Sequence, residues 1–201
     1  MSAIRRSTLA RRWLIGSVAA LAAALPLHAQ SVLFDFDSAS VGSALPLDQT
    51  VGSITAHISA TGAGFSIQAV GTLGIAPAGM SGNYLYPDSV FPADLLIGFS
   101  ARMVDFSILI APYELACDSS ATLRVTGYVG AVTVGTNTIS ASAPGTWPTS
   151  DLTLSAPGGF DRVVVHYDAI PPVGCDYAPI FFADNMQVTP QPDPIFANGF
   201  E

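Results

Sequence analysis

The chain has 201 residues, of which 50% are apolar and only 11% are charged. This length supports one sizeable hydrophobic core rather than two. There is no Lys, and four of the seven Arg precede residue 13, so the chain after residue 29 carries three Arg against 15 acidic residues, a formal charge of −12. Nucleic-acid binding is excluded because no basic surface could neutralise phosphates, and the apolar content argues against disorder.

Residues 1–29 have the pattern of a secretory signal peptide. A basic start precedes the apolar run from Trp13 to Leu25, and PLHA follows it. The run is shorter than the roughly 20 residues of a membrane span, so we expect cleavage after Ala29 and an exported mature chain without a stable membrane span. The segment RRWLI partly resembles a twin-arginine motif, which leaves the export route open.

The mature chain contains two cysteines, Cys117 and Cys175, which are 58 positions apart. An even number of cysteines in an exported chain favours one disulfide. A metal site or a catalytic thiol is the rival interpretation, but there is no CxxC motif and no neighbouring His to support either.

Between residues 31 and 189, short runs of alternating apolar and polar residues recur between clusters of Gly, Pro, Asn and Ser. They predict an all-β fold of about ten strands packed as two antiparallel sheets, a β-sandwich or jelly roll. The predicted strands are 32–37, 51–59, 64–70, 95–100, 102–111, 121–129, 131–140, 151–156, 161–168 and 179–188, with a hairpin turn at Gly130.

Two segments carry many turn-forming residues. Residues 71–94 predict a long loop, which its aromatic residues would help to order. Residues 190–201 are Pro-rich and predict an extended tail. The predicted organisation is therefore a signal peptide at 1–29, one β-sandwich domain at 30–189 and the tail.

Several segments together resemble a known group of proteins. They are VLFDFDSASVGSALP, SGNYLYP, FSARMVDFSILI, ATLRVTGYVGAVTV, LTLSAPGGFDRVVVHY and FFADNMQVT. In this order they resemble extracellular bacterial jelly-roll domains of PEP-CTERM-type and related sorting-signal proteins, which are similar in layout to galactose-binding-like modules. The ending PQPDPIFANGFE departs from the resemblance because it lacks the hydrophobic span and basic cluster of a PEP-CTERM anchor.

The resemblance implies that the first and last strands are neighbours. Asp35 and Asp37 would then lie near Asp184 and Asn185, and these oxygen ligands would suit a structural calcium ion. The alternative is that the carboxylates cap turns or accept hydrogen bonds from nearby backbone N–H groups.

Catalytic patterns are absent from the sequence. There is no GxSxG motif, and the two His of the mature chain, His57 and His166, lie within predicted strands. We interpret His166 as a half-buried strand residue rather than a general base. The sequence therefore predicts no catalytic residues and no enzyme.

Exposed aromatic rings are the remaining indication of function. Tyr84 and Tyr86 in the predicted long loop, and Trp147 in PGTWP, could stack on sugar rings. The alternative is that these rings close the ends of the sandwich. We therefore expect a non-catalytic secreted or cell-envelope module whose partner is an extracellular glycan or envelope component; a structural or adhesive protein is the second interpretation, and a secreted hydrolase is the third.

Overall fold

The computed structural model describes residues 30–62, 64–89, 91–112, 120–142, 150–168 and 180–192. These residues form ten β-strands and one short 3-10 turn. The strands are β1 (Val32–Phe34), β2 (Leu47–Val51), β3 (Ile54–Ala60), β4 (Phe65–Ala69), β5 (Asn83–Pro87), β6 (Leu95–Pro112), β7 (Ser120–Val129), β8 (Val132–Ser142), β9 (Ser150–Tyr167) and β10 (Phe181–Pro190). No helix in this part of the chain is long and apolar enough to cross a membrane.

The strands form because their apolar residues repeat with a period of two. In β3, Ile54, Ala56 and Ile58 are buried, whereas His57 between them is exposed. Successive side chains of a strand point to opposite faces, so this alternation places one face of the strand on the core and the other on solvent.

Strands β6 and β9 connect the two layers of the fold. The N-terminal part of β6 pairs with β3 and with the C-terminal part of β9, whereas its C-terminal part pairs with β10 and with the N-terminal part of β9. The β6–β9 register shifts between Gly98 and Met103 and again before Asp105. Such irregularities bend a strand, so both strands pass from one layer into the other.

One layer has the strand order β2-β3-β6-β9-β7-β8, and the second has the order β4-β5-β10-β6-β9, with β1 also paired to β10. All these pairs are antiparallel. A single core cluster contains residues from both layers, such as Ile97 and Val163 from the first and Phe106 and Phe181 from the second. The predicted antiparallel β-sandwich is therefore confirmed.

A smaller apolar cluster lies outside the main core. It consists of Ile75, Met80, Tyr84, Ala111 and Phe182. Phe182 lies between Phe181 and Ala183, which belong to the main core, so its side chain projects from the other face of β10. The segment before β5 thus covers part of the outer face of the second layer.

Several predicted boundaries need correction. Residues 71–94 are not one long loop, because they contain the 3-10 turn Thr72–Gly74 and the strand β5. The predicted strand 51–59 begins only at Ile54, after a turn that separates it from β2, which the sequence analysis missed. The two pairs of predicted strands at 95–111 and 151–168 are each one continuous strand. The hairpin turn at Gly130 is confirmed by the pairing of Val129 with Val132.

Some predictions concern residues outside the described ranges. These are the signal peptide at 1–29, the two cysteines Cys117 and Cys175, Trp147 and most of the C-terminal tail. They stay predictions.

Candidate functional site

A groove crosses the outer face of the second layer, beside the part that the 71–82 segment covers. It has a volume of 330 Å³ and is lined by residues of β10, β6 and β9 together with Ser31 just before β1. Its polar lining side chains belong to Ser31, Asp105, Ser107, Thr153, Ser155, Gln187 and Thr189. We call this the hydroxyl groove.

Strand register arranges these side chains in two rows. Gln187 lies opposite Ser107, which lies opposite Thr153 on the next strand. In the second row, Thr189 lies opposite Asp105, and Asp105 lies opposite Ser155. Neighbouring strands are about 4.8 Å apart, so each row places three polar side chains over roughly 10 Å.

The residues between the rows point in the other direction. Phe106, Leu154 and Val188 are buried in the main core. Because the core fixes these residues, it also fixes the direction of the polar side chains on either side of them. The floor of the groove is therefore a rigid sheet rather than a loop.

The hydroxyl groove has free hydrogen-bonding capacity. Ser155 donates to the carboxylate of Asp105, and the hydroxyls of Ser31 and Thr189 are 3.2 Å apart. Among the described residues, neither the Ser107 hydroxyl nor the Gln187 amide has a hydrogen-bond partner. Both donors and acceptors thus remain available to a ligand that carries hydroxyl groups.

A second cleft lies on the outer face of the first layer, above Gly98. Its volume is 420 Å³, and its polar lining side chains belong to Asp48, Thr55, His57, Ser100 and Asp161.

Most of these polar groups already bond within the protein. His57 Nδ1 is 2.5 Å from Asp48 Oδ1, Ser100 accepts from the backbone N–H of Thr55, and Asp161 accepts from that of Gly130. Although this cleft is larger, it offers less unused hydrogen-bonding capacity than the hydroxyl groove.

The four residues predicted to bind calcium lie near the junction of β1 and β10. These two strands are paired, with Phe34 opposite Met186, as the resemblance implied. Asp37 Oδ1 accepts a 2.7 Å hydrogen bond from the backbone N–H of Asn83. Gly82 is required beside it, because a Cβ there would overlap the Asp37 carboxylate.

Asp184 is fully buried in this region. Burial raises the pKa of Asp184 to about 6. Hydrogen bonds from the backbone N–H groups of Ser81 and Asn185 oppose this increase, whereas the nearby carboxylates of Asp37 and Asp35 contribute to it. The side chain is held under the segment that precedes β5.

These contacts correspond to the alternative in which the carboxylates accept backbone hydrogen bonds. In the described ranges, no group of three or more His, Cys, Asp or Glu side chains is arranged to hold a metal ion. Calcium binding by Asp35, Asp37, Asp184 and Asn185 stays a prediction, and its test is given in the Discussion.

The expectation that Tyr84 is an exposed ring in a loop needs correction. Tyr84 lies in β5, is fully buried and stacks on Phe182 with 5.6 Å between ring centroids. Its hydroxyl donates to the backbone carbonyl of Ile75 at 3.4 Å, and burial raises its pKa to about 12. The covering segment leaves no face of this ring accessible to a sugar.

Tyr86 lies in the same strand and is half-buried. Its ring packs edge-on against Tyr84 and Phe182. The two tyrosines therefore take part in packing, as the alternative interpretation had it, but on the outer face of the second layer rather than at an end of the sandwich.

His166 is a half-buried residue of β9, as predicted. Its Nδ1 is 2.5 Å from Asp94 Oδ1, and its Nε2 is 3.3 Å from Asp168 Oδ1. Arg124 donates two hydrogen bonds to Asp168, which lowers the pKa of that carboxyl. The imidazole faces two carboxylates, and among the described residues it forms no hydrogen bond with a hydroxyl that it could activate as a nucleophile.

The groove was missed by the sequence analysis, although its signal is visible. Polar residues alternate with apolar ones in DFS, LTLS and QVT, which are parts of β6, β9 and β10. The alternation showed that one face of each strand is polar, but it did not show that the three strands are neighbours. The sheet topology, in which β10, β6 and β9 are adjacent, brings these polar residues together.

Comparisons of the sequence with known families and with curated proteins found no match. No model of a known protein family matches the sequence. No curated protein matches it either. The comparisons therefore give no evidence for membership of the PEP-CTERM-type proteins.

Solved structures do match. The chain is similar to the K2 cleaved adhesin domain of Lys-gingipain, with a TM-score of 0.51 and 12% identity, over 80% of this chain and 99% of that one. It is also similar to a DUF4465 family protein from Bacteroides caccae, with a TM-score of 0.46 and 13% identity over 87% and 99%.

A family 11 carbohydrate-binding module from Clostridium thermocellum, solved with a mixed-linked tetrasaccharide, matches with a TM-score of 0.35 and 12% identity over 80% and 96%. At these identities, the likeness to the adhesin domain shows a shared β-sandwich fold.

Proposed function

We propose that this protein is an exported, non-catalytic β-sandwich module that binds an extracellular glycan in the hydroxyl groove. The observation that carries the proposal is the two rows of polar side chains across β10, β6 and β9, with Ser107 and Gln187 free to bond a ligand. A sugar chain offers hydroxyl groups at regular intervals, and these can both donate and accept hydrogen bonds.

The dimensions support a short stretch of sugar chain. Each row spans roughly 10 Å across three strands, and the two rows are about 7 Å apart because side chains on one face of a strand repeat every second residue. The volume of 330 Å³ lies at the lower end of typical ligand sites, which suits a shallow site that contacts two or three sugar units.

Two further features support an extracellular binding role. The predicted signal peptide at 1–29 would export the chain. The β-sandwich fold is shared with the adhesin domain of Lys-gingipain. Since the described residues include no imidazole beside an activated hydroxyl, we favour binding over hydrolysis.

A glycan array with the mature protein, residues 30–201, tests the proposal. We expect weak binding to at least one oligosaccharide. The double variant Ser107→Ala/Thr153→Val removes two hydroxyls from the first row and should weaken that binding by about 5- to 30-fold, since each lost hydrogen bond is worth about 0.5–1 kcal/mol.

The control is Thr133→Val, which removes one exposed hydroxyl from β8, outside the groove. It should leave binding unchanged. If no glycan binds, or if the double variant binds as tightly as the unaltered protein while both remain folded, the proposal is wrong and the structural or adhesive interpretation becomes the better one.

A further inference from the structure

Among the described residues that line the hydroxyl groove, one side chain is ionisable. Of the polar residues that line it, only Asp105 is ionisable, and the others are Ser, Thr and Gln. Asp105 is exposed and lies in the middle of the second row, between Thr189 and Ser155. Ser155 donates to one of its oxygens. The carboxylate can only accept hydrogen bonds when it is ionised, so it favours ligands that donate.

Asp105 forms no ion pair with a basic side chain of the described residues. Only three Arg follow residue 29, and no Lys does. Arg124 is bound to Asp168, and the guanidinium of Arg162 lies 4.6 Å from the ring centre of Tyr128. Arg102 forms no ion pair within the described part of the chain. In the described part of the chain, no guanidinium therefore forms an ion pair with the Asp105 carboxylate.

We propose that Asp105 determines specificity in the groove, so that it binds uncharged glycans and rejects those that carry carboxylates. This inference rests on the proposed function and adds the class of ligand. A sugar hydroxyl can donate a charge-assisted hydrogen bond to Asp105. A uronate carboxylate at the same position would instead meet the like charge of Asp105, which no ion pair neutralises among the described residues. The formal charge of −12 on the mature chain adds to this repulsion.

The test compares matched neutral and acidic sugars. The probes are hexasaccharides of β-1,4-linked glucose, mannose and galactose, each used in its neutral form and after oxidation of the C6 hydroxyls to carboxylates. For any hexasaccharide that the mature protein binds, we expect the oxidised form to bind at least about tenfold more weakly at low salt. The difference in affinity between the two forms should become smaller as salt is added, because salt screens exposed charges.

Asp105→Asn is the diagnostic variant because it keeps an acceptor oxygen and removes the charge. This variant should reduce the ratio of the affinities for the neutral and oxidised probes severalfold. Asp151→Asn is the matched control, since Asp151 is also exposed on β9 but lies opposite Leu109, outside the groove lining. It changes the net charge equally, but Asp151 lies one row beyond the groove lining, so it should narrow the difference in affinity much less than Asp105→Asn does.

The outcomes separate the two proposals. If neither form of any probe binds and the glycan array shows no binding either, the proposed glycan function fails and this inference fails with it. If the array shows binding only to glycans that carry carboxylates, this inference fails alone. If the oxidised probes bind as tightly as the neutral ones, or if Asp151→Asn narrows the difference as much as Asp105→Asn does, the groove binds glycans but Asp105 does not select them. Melting curves of both variants verify that they are folded.

Discussion

The carboxylate of Asp184 accepts a hydrogen bond of 3.1 Å from the backbone N–H of Ser81, 103 residues earlier in the chain. A second contact, from the Asn185 side-chain amide to the carbonyl of Gly79, joins the same two segments. Asn185 adopts a left-handed conformation, with φ of 51°, at an irregularity in the pairing of β10 with β6. This irregular strand therefore holds the covering segment over Tyr84 and Phe182.

Asp184 makes stability depend on pH. Its pKa in the folded protein is about 6, above the ordinary value of 3.8, so the folded state holds this proton more tightly than the unfolded state does. The free energy of unfolding contributed by this group is therefore fully present below pH 3.8 and is lost as pH rises through about 6. The loss is about 3 kcal/mol.

Asp184→Asn removes this titration. We expect the stability of the unaltered protein relative to the variant to fall by up to about 3 kcal/mol between pH 4 and pH 7, as measured by urea unfolding at several pH values. Comparing the two proteins cancels the effects of the other acids. An identical pH dependence in both proteins would contradict the prediction.

Calcium binding at the β1–β10 junction is a separate prediction. At pH 7, a divalent cation would relieve the repulsion that Asp35 and Asp37 exert on Asp184, and the Asn185 amide could add an oxygen ligand. Calcium that binds only the folded state at 100 times its dissociation constant would stabilise it by about 2.7 kcal/mol. We expect the melting temperature to be higher in millimolar calcium than in excess chelator.

Asp37→Asn should reduce the increase in melting temperature that calcium causes. Asp151→Asn, which changes an exposed residue of β9, should not reduce it. Melting curves that coincide in calcium and in chelator would show that these carboxylates serve only as acceptors for backbone N–H groups.

Much of the fold could be predicted from the sequence because burial follows a period of two. The alternation in β3 is regular, and Gly130 marks the most recognisable turn, which joins β7 to β8. Strand β5 was hidden because its five residues lie between turn-forming segments and end in Pro87. A five-residue strand with little alternation gives only a weak local signal.

The site was harder to predict than the fold. Tyr84 occupies an outward position of β5, and its exposure depends on whether another segment covers it. That cover is Ile75 and Met80, whose positions are set by contacts with β6 and β10 rather than by their own sequence. In the same way, Asp105 and Ser155 become neighbours only because β6 and β9 pair in one particular register.

The predicted disulfide between Cys117 and Cys175 can be tested chemically. Intact mass before and after reduction and alkylation should show no free thiol in the exported protein and two after reduction. The bond would close a loop of 58 positions, and the chain-entropy model assigns about 4 kcal/mol to such a loop. Reduction should therefore lower the melting temperature, and a free thiol in freshly exported protein would overturn the prediction.

The last prediction concerns Gly127 and Gly135, which lie opposite each other in the β7–β8 pair. The side chain of Leu154 packs against both, so that a Cβ added at Gly127 would lie 2.6 Å from Leu154 Cδ2, and one at Gly135 would lie 3.2 Å from Leu154 Cδ1. Neither glycine has a positive φ, so close packing rather than backbone conformation accounts for them.

Gly127→Ala should therefore lower the free energy of unfolding by about 1–3 kcal/mol, the usual cost of overfilling a packed core. Gly98→Ala is the control, because Gly98 also lies in a strand but a Cβ there would meet no atom within 4 Å. The free energy of unfolding of this variant should differ from that of the unaltered protein by less than about 0.5 kcal/mol. Leu154→Val shortens the opposing side chain, so the double variant with Gly127→Ala should lose less than the sum of the two single losses. Urea unfolding of the four variants and the unaltered protein measures this coupling, and strictly additive losses would show that the two side chains do not compete for the same space.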